Sequence, residues 1–120
     1  MSDRLARRAR LAVRPNPDPG HDYLVEFAAP LAGARLVLRL VPDRLLATPE
    51  GLAAWLAALP AEPAPEALAL AVLDDLNDVL VPRWVSVSLT GQGALRHRVV
   101  IEDRQPGWDN PALIARLRPL

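Results

Sequence analysis

Two pairs of alternating segments enclose two helical stripes, and that order constrains the fold more than any other feature of the 120 residues. In 23–29, YLVEFAA, the side chains of Tyr23, Val25 and Phe27 fall on one face and those of Leu24, Glu26 and Ala28 on the other. In 34–41, ARLVLRLV, Leu36, Leu38 and Leu40 oppose Arg35, Val37 and Arg39. A period of two is that of a half-buried strand, and PLAGA between the segments supplies a turn, so the pair is a β-hairpin. A second hairpin follows from 83–90, where Val85, Val87 and Leu89 alternate with Trp84, Ser86 and Ser88, and from 95–103, where Leu95, His97, Val99 and Ile101 share a face.

The stretch between the hairpins reads as two helices. TPEGLAAWLAAL opens with Thr48 as N-cap, Pro49 at the first helical position and Glu50 near the positive end of the helix dipole. It puts Leu52, Trp55, Leu56 and Leu59 on one stripe. After PAEPAP, residues 66–80 carry Leu68, Val72, Leu76, Val79 and Leu80 at the same spacing; Asp74, Asp75 and Asp78 read as the solvated side, and Pro82 ends the helix. Asn110 and Pro111 start a short last helix. Each long helix has one apolar stripe to bury, so both must lie on one face of an antiparallel four-stranded sheet. The expected fold class is α+β, in the order β-β-α-α-β-β plus a C-terminal helix.

Composition narrows the function classes. With 51% hydrophobic residues the chain fills one core, taken as a single domain over 15–120. Fourteen basic residues balance fourteen acidic ones, so the overall field gives no reason to expect a nucleic-acid partner. Residues 1–14 are locally basic, with Arg4, Arg7, Arg8, Arg10 and Arg14 against Asp3, and read as a flexible solvated arm. The chain has no Cys, which excludes a thiolate metal site and a cysteine nucleophile. No apolar run matches a membrane span and no signal-type apolar segment follows the first basic residues, so the expected compartment is the cytoplasm. Open sheet edges imply a homo-oligomer paired through strands; neither 34–41 nor 95–103 contains a Lys or Pro that would protect an edge.

Three stretches carry a more specific likeness: PNPDPGHDYLVEFAAP (15–30), LVPDRLLATPEGLAAWLAAL (40–59) and VLDDLNDVLVPRWVSV (72–87). In their order and in the Asp-Leu to Pro-Arg-aromatic spacing the chain resembles the QueF family, the NADPH-dependent 7-cyano-7-deazaguanine nitrile reductases of queuosine biosynthesis. The resemblance implies the tunnelling fold, whose subunits close into barrels and hold purines or pterins between neighbours. It also implies a covalent mechanism, in which a Cys within Cys-Pro-x-Thr-Gly-Gln-Pro-Asp attacks the nitrile and NADPH reduces the adduct. At the corresponding place this chain has APLAGA, without the Cys, Thr or Asp. The family's Glu-Ser-Lys-Ser-Leu-Lys cofactor run falls on Thr48-Pro49-Glu50-Gly51-Leu52-Ala53, where Leu52 alone matches and Glu50 reverses the charge.

One family position persists. The Glu that holds the N–H edge of the ligand falls on Glu66, with Pro65 where the family has His. A Glu behind a Pro at a helix start is also ordinary first-turn chemistry. The leading expectation is a non-catalytic oligomeric scaffold or partner subunit, with a Cys-containing paralogue as its candidate partner. Alternatives are a reductase, or another purine or pterin enzyme, completed by a second chain and then using NADPH, and a purine or pterin sensor built on Glu66. The remaining residues carry bland expectations: Asp75 as helix surface or a nearby salt bridge, Arg83 and Trp84 as packing at the strand start, His21 and His97 as loop and strand-face residues, and Trp108 against the sheet edge.

Overall fold

The computed structural model describes residues 3–60 and 64–117; the ends and positions 61–63 of the interhelical linker lie outside that range. The elements are α1 Asp3–Ala9, β1 Val13–Pro15, β2 Val25–Leu31, β3 Ala34–Val41, β4 Leu45–Ala47, α2 Pro49–Ala57, α3 Pro65–Leu80, β5 Trp84–Gly91, β6 His97–Arg104 and α4 Pro111–Ile114. The main sheet is antiparallel throughout, in the order β2-β3-β5-β6. Both long helices pack on one face: Leu52 and Trp55 of α2 and Leu68, Val72, Leu76 and Leu80 of α3 join Leu36, Leu38, Leu40, Val85, Val87 and Leu89 in one buried cluster. This is the two-layer α+β architecture expected from the alternation, in the element order that the resemblance to the tunnelling fold implies. Truncating one of its leucines to Ala costs about 2–5 kcal/mol at such sites.

Local chemistry explains the boundaries. Thr48 Oγ1 accepts the Gly51 N–H at 3.0 Å and caps α2, as its sequence position requires. A Cβ on Gly51 would stand 2.5 Å from the backbone nitrogen of Ala12, so only glycine allows the 12–13 segment to lie this close. The β2–β3 turn is only two residues, Ala32 and Gly33, with φ of 51° and 77°. Two positive-φ residues are the hairpin turn whose twist matches that of the strands. Val81 ends α3 at φ 46° and ψ 57°, a left-handed conformation that a β-branched residue adopts only under strain, and Pro82 follows it.

Three features differ from the sequence expectation. The two three-residue strands, β1 and β4, pair with each other, and they were hidden because three residues are too few to show a period. Strand β3, 34–41, is an interior strand; the edges are β2, which carries Pro30, and β6. The absence of Lys and Pro from 34–41 therefore says nothing about an edge. On β5 the alternation of Val85, Val87 and Leu89 holds, yet Trp84, Ser86 and Ser88 are buried as well. Ser86 sits between Arg39 and Glu102, and Ser88 between Val37 and Val100, so long neighbours on the flanking strands cover the short side chains.

The basic N-terminal stretch is placed against the domain in place of the solvated arm read from its composition. Residues 3–9 are helical, Leu11 is buried, and Arg7 and Arg8 reach into α3. Among the described residues no helix is long and apolar enough to cross a membrane.

Candidate functional site

Glu66 stands in the first turn of α3, immediately behind Pro65. The N-cap, Ala64, has no side chain with which to cap the helix, and the Glu66 carboxylate compensates by bonding its own backbone N–H. Its Oε2 also lies 2.9 Å from Nε2 of His97 on β6, across the helix-facing side of the sheet. The self-capping bond first, and then His97, hold the Glu66 carboxyl below the usual carboxylate range. Both side chains are about half exposed. The structure thus pairs two residues that the sequence left 31 positions apart, and it gives Glu66 the first-turn role open to it from the sequence. A carboxylate that anchors the N–H edge of a heterocycle needs two free acceptor positions; here Oε2 is already engaged by His97, so a ligand would share the carboxylate with that histidine.

A partly open apolar cleft lies elsewhere. A cavity of about 420 Å³ is walled by Tyr23, Phe27, Leu40, Leu46 and Pro82, with Arg14 also lining it, and Glu66 does not line it. A ring held by Glu66 would therefore have to be enclosed by a second subunit.

The two stretches that the resemblance associates with chemistry have structural tasks here. The tight turn at Ala32–Gly33 directly joins the paired residues Leu31 and Ala34, with no loop to present a nucleophile. At the start of α2, Thr48 is spent on the cap, Gly51 on the contact with Ala12, and Leu52 in the core; Glu50 is exposed. The run contributes no cation to a dinucleotide phosphate, so the residues present do not fit the NADPH that the resemblance implies at this position.

The Pro-Arg-aromatic join is a structural hub. Arg83 donates to Asp22 at 3.0 Å, to Asp43 at 3.2 Å and to the Pro19 carbonyl at 2.6 Å, tying the 16–22 loop and the 42–44 turn to the start of β5. Asp22 also accepts Trp108 Nε1 and Asn110 Nδ2, which fastens the C-terminal segment. Burial alone would push the Asp22 carboxyl up, but the bonds from Asn110, Arg83 and Trp108 hold it below the usual carboxylate range. Trp108 is thus a hydrogen-bond donor to Asp22 beyond the apolar packing expected of it. Trp84 donates its indole N–H to Glu102 at 2.7 Å. His21 pairs with Asp18 at 2.6 Å in the loop.

Asp75 corrects the reading of α3. It is fully buried, not solvated, and accepts Arg7 Nε and Nη2, Arg8 Nε at 2.7 Å and Trp55 Nε1 at 2.8 Å. Its neighbours Asp74 and Asp78 lie on the less buried side, as expected, and Asp78 pairs with Arg8 at 3.2 Å. Both arginines come from the N-terminal stretch, whose docking the helical period of α3 cannot reveal.

Comparison with known proteins places this scaffold. The chain is 34% identical over 118 residues to the NADPH-dependent 7-cyano-7-deazaguanine reductases of two strains of Acidithiobacillus ferrooxidans, the match covering 85% of this chain and 82% of each relative. It is 32% identical over 113 residues to the protein of the same name from Nitrosococcus oceani, covering 82% of this chain and 88% of the relative. No family model matches the chain. With the Pro-Arg-aromatic join built as a hub at the start of β5, and these relatives aligned over most of its length, the chain belongs to the family of NADPH-dependent 7-cyano-7-deazaguanine reductases, the QueF family.

Proposed function

We propose that this chain is a non-catalytic member of the family and acts as an oligomeric scaffold or partner subunit. The observation that carries the reading is the β2–β3 connection: two residues, Ala32 and Gly33, in a chain that has no Cys. A nitrile carbon needs a nucleophile held within bonding reach, and a thiolate is the group that supplies it in the mechanism implied by the resemblance. Neither Ala32 nor Gly33 carries one. The start of α2 supports the same reading, because its residues are committed to capping and packing and its one charged residue is acidic.

The scaffold role rests on the exposed edges β2 and β6 of a sheet that belongs to a strand-pairing architecture. A second copy, or a Cys-containing relative of the same fold, fits such an edge by continuing the ladder. The test is a nicotinamide-absorbance assay of the purified chain with 7-cyano-7-deazaguanine and NADPH. The expected result is no consumption above the rate without protein; turnover overturns the proposal.

A further inference from the structure

The face of the sheet opposite the helices carries a feature that the scaffold reading does not use. Its cleft, about 450 Å³, is lined by Arg35, Arg39, Arg96 and Arg98, with Glu26 as the single carboxylate, a local excess of three positive charges (four less one). Arg39 donates to Glu26 at 2.7 Å, so that one carboxylate is engaged. Arg35 and Arg98 have no acidic partner among the described residues. The register fixes their placement: Arg35 is opposite Thr90, and Thr90 is opposite Arg98, so the three form one row across three adjacent strands. Two strand spacings separate the arginine backbones by roughly 10 Å.

Like charges in one cross-strand row weaken a sheet unless something neutralises them. Their long side chains stand over a floor of short ones, Ser88 and Thr90, of which the half-buried Thr90 offers a hydroxyl donor to the cleft. Guanidinium forks with a hydroxyl between them match the oxygens of a phosphate or diphosphate. The chain's zero net charge argues for a compact anion over a polymer, because a nucleic acid is held by an extended basic field.

We infer that the row Arg35–Thr90–Arg98 is a binding site for a compact phosphate-bearing anion, the free ion or a phosphorylated small molecule, on the open face of the sheet. The site is independent of Glu66 and His97, which lie on the helix side, and of the catalytic status of the chain.

Calorimetric titration of the full chain with inorganic pyrophosphate at low ionic strength tests it, with an adenosine diphosphate arm to separate the free ion from a phosphorylated small molecule. At least one of the two anions is expected to bind saturably. Changing Arg35→Gln together with Arg98→Gln should weaken that binding at least ~tenfold, the worth of one lost charge-assisted bond. Arg44→Gln, at an exposed arginine outside the cleft, should leave it unchanged. Circular dichroism checks the fold of the double variant; if it is unfolded, Thr90→Val carries the test and must weaken binding while Arg44→Gln does not. No saturable binding of either anion, equal weakening in Arg44→Gln, or tighter binding of a short single-stranded RNA through the same arginines would overturn the assignment.

Discussion

Trp55 of α2 donates its indole N–H to Asp75 of α3 at 2.8 Å, beneath the guanidinium groups of Arg7 and Arg8. One buried carboxylate therefore joins three helices. Asp75→Asn keeps the shape but removes the charge, and is expected to destabilise the chain by about 1.5–3 kcal/mol, the range for hydrogen bonds to charged groups. Urea unfolding measures it; a loss below about 0.5 kcal/mol, that of an ordinary surface change, contradicts the role.

The same carboxylate predicts a pH dependence. Burial alone would raise its proton affinity, but the bonds from Arg7, Trp55 and Arg8 outweigh it and hold the Asp75 carboxyl below the usual carboxylate range. A folded-state value below the unfolded one contributes stability that is complete above about pH 4–5 and is lost as pH falls through the folded value. Wild-type stability should therefore fall more steeply on acidification than that of Asp75→Asn. Parallel curves would show that the carboxylate is not held this way.

Val81 is a β-branched residue in the left-handed region at an exposed helix end. Val81→Gly should raise stability by about 1 kcal/mol, since glycine removes the left-handed penalty and is the favoured residue at this type of helix end. Thermal unfolding checks it, and a lower midpoint for the glycine variant contradicts the assignment of strain.

How legible this was in the sequence depended on range. Strand alternation at 34–41 and the Thr48-Pro49 helix start are local signals, and the structure follows them residue by residue. Of the two readings of Asp75, the salt bridge holds and the solvated surface does not; it looks like its neighbours Asp74 and Asp78, and only the docking of residues 3–9 distinguishes it. The Asp22–Arg83 pair spans 61 positions and Glu66–His97 spans 31; no periodicity encodes such pairs. The paired strands at 13–15 and 45–47 were too short to alternate.

Glu66 separates the scaffold reading from a ligand sensor. With its carboxylate bonded to its own backbone N–H and to His97, the chain is expected to give no calorimetric binding of guanine, 7-cyano-7-deazaguanine or a pterin, and Glu66→Gln should leave stability almost unchanged. Binding by the unmutated chain that Glu66→Gln weakens by at least ~tenfold would establish the sensor instead.

Self-association is expected through β2 or β6. Light scattering of the chain at micromolar concentration should give a multiple of the 13.1 kDa protomer mass. A protomer mass across that range contradicts pairing of the chain with itself and leaves the partner-subunit form of the proposal to be sought with a relative.

The central claim is that a reductase scaffold persists here without the reductase reaction. Its most direct measurement is NADPH oxidation in the presence of 7-cyano-7-deazaguanine, run beside the Acidithiobacillus ferrooxidans relative under identical conditions. The prediction is loss of nicotinamide absorbance with the relative and none above background with this chain, whose β2–β3 turn holds only Ala32 and Gly33. Substrate-dependent NADPH oxidation by this chain alone would contradict it.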